Sequence, residues 1–162
     1  VSCVIKGCVI GGISQEGNYK INARFNKTDL IDRIEKIYQR RQSIEIYNLD
    51  GIVFLKQMNR KHRDIFIYID PPYVVKGSNL YLNFYTKSDH TALAEMVKKL
   101  RKEWLISYDN CDLINSLYHS YSRISYKLAQ GTSNKMGEEM LIFPKGLLFN
   151  EAISELSTPI FL

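Results

Sequence analysis

The chain has 162 residues, 45% hydrophobic and 24% charged, which suits a single soluble globular domain with one sizeable core. Lys and Arg number 22 against 17 Asp and Glu, and the formal net charge of +5 is a mild pull toward a polyanionic partner that many proteins without one share. No apolar run nears membrane-spanning length and no basic-then-apolar leader opens the chain, so no membrane partner is expected. Cys3, Cys8 and Cys111 are odd in number and lack metal-type spacing, which suits a cytoplasmic protein.

The first residue, Val1, falls in what reads as a strand or loop, and a missing portion before it is expected. "KINARFN" is polar and extended. "KTDLIDRIEKIYQRR" then places Leu30, Ile31, Ile34, Ile37 and Tyr38 on one helical face, with Asn26 or Thr28 as N-cap. "SIEIYNLD" reads as a short strand ending at Asp50, and "GIVFLKQMNRKHR" as a helix ending in basic residues that suit its dipole. "IFIYID" is a continuous apolar run, as expected of a strand buried on both faces. "SDHTALAEMVKKLRKE" predicts a helix capped by Ser88, with Leu93, Met96, Val97 and Leu100 inward. "WLISYD" is a further strand, "CDLINSLYH" a short helix, and "SRISYKLA" and "EEMLIF" are strands joined by the turn-rich "QGTSNKMG". Pro144 stops the last strand, and the tail to Leu162 is weakly patterned.

This alternation predicts an α/β fold whose sheet is mostly parallel, with an antiparallel C-terminal hairpin at one edge. Ligands of such sheets sit beyond the carboxyl ends of the strands. That rim would carry Asp50, Asp70 to Tyr73, Tyr108 to Asn110 and the loop from Gln130 to Gly137. Lys98, Lys99, Arg101 and Lys102 fall at the opposite edge and read as a solvated helix end.

The sharpest signal is "DPPY", residues 70–73, directly after the apolar run. Pro71 and Pro72 fix φ and donate no N–H, so the Pro71 carbonyl is held outward in a rigid turn. The Asp70 carboxylate and that carbonyl are two acceptors, which match the two donors of an exocyclic amine. Tyr73 offers a flat face for an aromatic base, worth about 1–3 kcal/mol. The bland alternative is a turn that merely stops a strand. His62, His90 and His119 have no ligand spacing, and no metal site is expected.

"IYIDPPY", "NLYLNFYTKSDHTALAEMVKKL", "WLISYDN" and "GTSNKMGEEMLIF", in that order, resemble the D12 (Dam-like) class of adenine-N6-specific DNA methyltransferases from about Gly11 to Phe143. The resemblance implies methyl transfer from the cofactor S-adenosylmethionine to N6 of an adenine flipped out of double-stranded DNA, in a restriction-modification or similar setting. It implies catalytic roles for Asp70, Pro71, Pro72 and Tyr73, and cofactor contacts for Asp50 and Asp70. A plain helix N-cap remains open for Asp50. Arg24, Asn26, Lys27, Lys76, Thr132, Ser133, Asn134 and Lys135 would contact DNA, and Phe84 and Tyr85 would line the target pocket.

The departures carry expectations too. The family's F-x-G-x-G turn is absent, and Gly11-Gly12 is followed by no amphipathic helix. The sheet is therefore expected to be an incomplete Rossmann-like methyltransferase sheet, lacking the two strands that the family places between the strand ending at Asp50 and the strand ending at Asp70. Residues 1–28 read as a remnant of the target-recognition segment, 29–143 as the C-terminal part of the catalytic domain, and 144–162 as a tail. An N-terminal companion chain or missing N-terminal portion would complete the cofactor site, and this chain alone is expected to bind S-adenosylmethionine poorly. The alternatives are a catalytically inactive DNA-binding remnant or subunit, and an amino-methylase of RNA or guanine.

Overall fold

Secondary structure follows the sequence closely in the second part of the chain and loosely in the first. The computed structural model describes residues 4–5, 8–23, 25–62, 64–75, 84–129, 136–147 and 153–162. They fall into two units, Val1–Asn48 and Leu49–Leu162.

In the first unit, β1 (Val4–Ile5) and β2 (Cys8–Val9) pair antiparallel. The segment expected to be extended instead turns at residues 21–23. Gly11 has φ +87°, and a Cβ there would lie 2.6 Å from the Tyr19 carbonyl oxygen, so only glycine fits. The Gln15 side chain ties this loop, donating to the Ile10 and Gly12 carbonyls and accepting from the Ile21 N–H. Helix α1 (Lys27–Gln39) is capped by Asn26, which accepts from the Asp29 N–H at 3.2 Å. Asp29–Arg33 and Asp32–Lys36 pairs support it in the favourable acid-first order. Although its apolar residues share one face, no residue of α1 is buried, and Ile34 is 65% exposed. A 3₁₀ turn at Arg41–Ser43 follows.

The strand expected to end at Asp50 is not formed. Residues 44–48 carry no strand pairing, and Ile46 is 90% exposed. Alternating Ile44 and Ile46 favour a strand only beside a neighbouring ladder, and the described residues of this unit offer none there.

The second unit holds α2 (Gly51–Arg60), β3 (Phe66–Ile69), α3 (Lys87–Val97), β4 (Glu103–Asp109), α4 (Asp112–Leu117), β5 (Ser122–Ala129), β6 (Met136–Phe143) and β7 (Ile160–Phe161). The five strands form one sheet in the order β3-β4-β6-β5-β7. Only β3 and β4 pair parallel; the β4–β6, β5–β6 and β5–β7 pairs are antiparallel. The expectation of a mostly parallel sheet is thereby corrected. Strands β3, β4 and β5 do run the same way, but the return strand of the hairpin, β6, inserts between β4 and β5. The weakly patterned tail contributes β7, which closes the outer side of β5.

Helix α3 is capped by Thr86 rather than Ser88. Thr86 accepts from the Asp89 N–H, and the Asp89 carboxylate accepts from the Thr86 N–H at 2.8 Å, a complete capping box. One face of the sheet is core: Ile67, Trp104, Ile106, Tyr108, Met140 and Ile142 pack with Leu55, Leu93, Val97 and Ile114 of the helices. His90 joins them, its Nδ1 3.0 Å from the Tyr108 hydroxyl, and burial lowers its pKa so that the ring stays neutral. The other face is open at β3, where Tyr68 is 58% exposed. The expectation that β3 is buried on both faces therefore fails, because β3 is an edge strand here and only Ile67 is buried. Among the described residues no helix is long and apolar enough to cross a membrane.

Candidate active site

Side chains alternate across a strand, so register decides which groups meet beyond the ends of β3 and β4. Ile69 pairs with Ile106, which brings Asp70 beside Ser107. The Ser107 hydroxyl donates to Asp70 Oδ1 at 3.0 Å and lies 2.9 Å from the Tyr68 hydroxyl. Ser107 has one proton, so Tyr68 donates to Ser107 and Ser107 to Asp70. Among the described residues, Asp70 Oδ2 takes no hydrogen bond, and Asp70 is exposed.

The turn after Asp70 is gripped from the sheet. Pro71 is buried and Pro72 and Tyr73 are half-buried, with trans peptides throughout. Asp109, only 8% exposed, accepts from the Val74 and Val75 N–H groups at 2.8 and 2.7 Å, one with each carboxylate oxygen. The Tyr73 hydroxyl donates to Glu139 Oε1 and the Tyr126 hydroxyl to Glu139 Oε2, both at 2.8 Å. Asp109 pairs with Glu139 across β4 and β6, and Glu139 with Tyr126 across β6 and β5. These three side chains therefore form one row on the open face of the sheet. Burial, then the bond to Glu139, pushes the Tyr126 phenol well above its ordinary pKa, so it stays a donor.

A cavity of about 250 Å³ adjoins the turn, lined by Gly51, Phe54, Ile67, Asp70, Pro72 and Tyr85 among others. It is smaller than the roughly 300–1,000 Å³ of ordinary small-molecule sites, and so suits one ring system. Asp50 stands beside it as the N-cap of α2, with Oδ1 accepting from the Ile52 and Val53 N–H groups at 3.0 and 3.1 Å. Its Oδ2 takes no hydrogen bond among the described residues. The Tyr85 phenol is raised by burial first, then by the charges of Asp50 and Asp89.

The structure thus brings together Asp70, Pro71, Pro72 and Tyr73, with Tyr85 lining the adjoining cavity and Asp50 one residue before its lining residue Gly51. Phe84 is 51% exposed and is not among the residues lining that cavity. Asn26 and Lys27 belong to the first unit, as the cap and first residue of α1. Arg24, Lys76, Thr132, Ser133, Asn134 and Lys135 lie outside the described residues. A larger cavity, about 670 Å³, is lined by Arg60, Lys61, His62, Lys99, Arg101 and Lys102 among others. It lies before β3 and β4, at the end of the sheet opposite Asp70, where basic side chains meet the carboxyl ends of α2 and α3.

Sequence reading placed Asp109 on the rim without giving it a role, and it missed Ser107, Tyr126 and Glu139. Their alternation in "WLISYD", "SRISYKLA" and "EEMLIF" put them on defined faces, but only the pairing register puts them on the same one.

The family model for D12 class N6 adenine-specific DNA methyltransferase matches residues 14–131. The chain belongs to this family. No curated protein matches it. The D12 match contains Asp50, the DPPY turn, Ser107, Asp109 and Tyr126, and it stops before Glu139. As a D12 methyltransferase the chain is assigned adenine-specific DNA methylation, and the buried grip on its DPPY turn sits inside the matched region.

Proposed function

We propose that this chain carries the amine-binding half of a D12 active site, which methylates N6 of an adenine flipped out of a DNA duplex. The observation that carries the proposal is the grip of Asp109, Ser107 and Glu139 on residues 70–75. A turn that only ended a strand would need no such triple anchorage. An adenine amine is a weak nucleophile because its lone pair is delocalised into the ring. Asp70 Oδ2 and the Pro71 carbonyl accept its two N–H groups, which favours a more tetrahedral nitrogen and fixes its direction. Tyr73 supports the base by stacking, and Pro72 keeps the turn stiff.

S-adenosylmethionine, when bound, supplies the electrophilic methyl group. Asp50 and Asp70 are the residues that would hold it: Asp50 Oδ2 takes no hydrogen bond among the described residues, and Asp50 directly precedes Gly51, which lines the cavity sized for one ring system. The sequence contains no F-x-G-x-G turn, so Asp50 and Asp70 provide only polar edges of that site.

The test is transfer of labelled methyl from S-adenosylmethionine to DNA, RNA and guanine-only acceptors, with the products separated as nucleosides. N6-methyladenine in DNA is expected. Methyl groups in RNA or on guanine would redirect the substrate class. DNA binding without transfer, even beside a cofactor-binding methyltransferase segment, would leave an inactive DNA-binding subunit.

DNA contacts are proposed for Arg24, Asn26, Lys27, Lys76 and residues Thr132 to Lys135. Replacing Lys76 and Lys135 by Ala is expected to weaken DNA binding and flatten its salt dependence by about one unit of slope per lost phosphate contact. Replacing Lys98 and Lys99 should change the slope much less. Lys98 is already paired with Glu95 at 2.9 Å, and both lysines follow α3 at the far end of the sheet. Equal slopes for the two double variants in a salt titration would reverse the assigned orientation.

A further inference from the structure

We propose that Glu139 is a positioning residue, which holds the base-stacking ring of Tyr73 in one orientation through the Tyr73 hydroxyl. The inference rests on the stacking role given to Tyr73 above. A tyrosine ring at the exit of an edge strand has two soft torsions, and stacking on it is worth little if it must first be ordered. Here its hydroxyl is fixed to Glu139 Oε1 at 2.8 Å, so the bond holds the ring by its tip. Glu139 is itself fixed, because its second oxygen accepts from Tyr126 at 2.8 Å. Two phenol donors meet two carboxylate acceptors, so each bond constrains the other. Glu139 lies in the middle strand of the β4–β6–β5 row, and the pairing that places it opposite Asp109 and Tyr126 spans well-formed ladders. Asp109 anchors the backbone just after Tyr73, and Glu139 anchors the tip of its ring. Together the two anchors oppose a swing of the ring away from the rim.

Glu139 is half-buried, so its replacement is expected to leave the protein folded. Glu139→Ala and Tyr73→Phe should each slow DNA methylation about tenfold through kcat, as expected for loss of one hydrogen bond to a charged group. The double variant should be no slower than either single one, and Glu139→Gln, which can still bond both phenols, should recover most of the rate. A second readout does not depend on turnover. Protein labelled with 3-fluorotyrosine gives a Tyr73 fluorine resonance, assigned by its loss in Tyr73→Phe. That resonance should shift in Glu139→Ala and return toward its wild-type place in Glu139→Gln. Additive losses in the double variant, or a Tyr73 resonance indifferent to Glu139→Ala, would overturn the proposal. If the resonance responds as expected while wild-type protein makes no N6-methyladenine, the positioning contact stands and the methylation reading falls.

Discussion

Asp70→Ala is expected to lower N6-adenine methylation by about a hundredfold to a thousandfold while leaving the folded fraction unchanged. Removing one preorganised group that meets the reacting atoms costs about 10²–10³ in rate, and Asp70 is one of only two acceptors proposed for the amine. Its loss also frees the Ser107 hydroxyl, which can turn to solvent because Asp70 itself is exposed. No core residue is disturbed, so circular dichroism and the denaturation midpoint should stay near wild type. Tyr73→Ala should lose less, about 10–100-fold, through weaker holding of the base. The check is a count of N6-methyladenine formed per enzyme under saturating cofactor. An Asp70→Ala enzyme that turned over at the wild-type rate would remove this carboxylate from the mechanism.

Asp109→Ala should damage both stability and activity, which separates it from Asp70→Ala. Asp109 is nearly buried and satisfies two backbone N–H groups with a charged acceptor. Without it, the Val74 and Val75 donors lose their partner, at about 1–3 kcal/mol for each that stays buried. A total of about 2–6 kcal/mol is expected if the turn stays in place. A smaller value accompanied by full loss of methylation would mean that the turn lets go and takes water. Asp109→Asn retains one good acceptor and should fall between wild type and Ala. Urea denaturation and the methylation rate, measured on the same preparations, distinguish these outcomes. An Asp109→Ala protein unchanged in both would show that the turn stands without this grip.

Most strands and helices of the second unit were legible because their periodicity is strong and their ends are marked. Ser122–Ala129 alternates and reaches its expected limits, Pro144 stops β6, and the DPPY turn announces the end of β3. Thr86 could also have been read as the cap of α3, because Asp89 follows it by three residues. Pairing was not legible. Periodicity tells a strand which face is apolar but not which strand lies beside it, so the insertion of β6 beside β4 could not be deduced. Ile44 and Ile46 alternate as well as Ile124 and Tyr126 do, yet only the latter have ladder partners. The same limit hid the supporting half of the site. Asp70 to Tyr73 carry their chemistry in consecutive residues, whereas Asp109, Glu139 and Tyr126 acquire theirs only when three strands align.

The two sides of this sheet differ in how far apart along the chain their partners lie, and that sets an order of assembly. β5 and β6 are separated only by residues 130–135, whereas β3 reaches β4 across residues 70–102. Closing the longer connection costs roughly 1.5 kcal/mol more in chain entropy, and it returns four register pairs against eight in the hairpin. The hairpin is therefore expected to be structured early in the folding transition state and the β3 docking late, which conservative changes such as Ile124→Val and Ile67→Val would read out in refolding rates. Glu139 and Tyr126 both belong to the early half. The anchor for the Tyr73 ring would then be standing when Asp70 and its two prolines arrive, and the reactive turn would be cast against a finished surface.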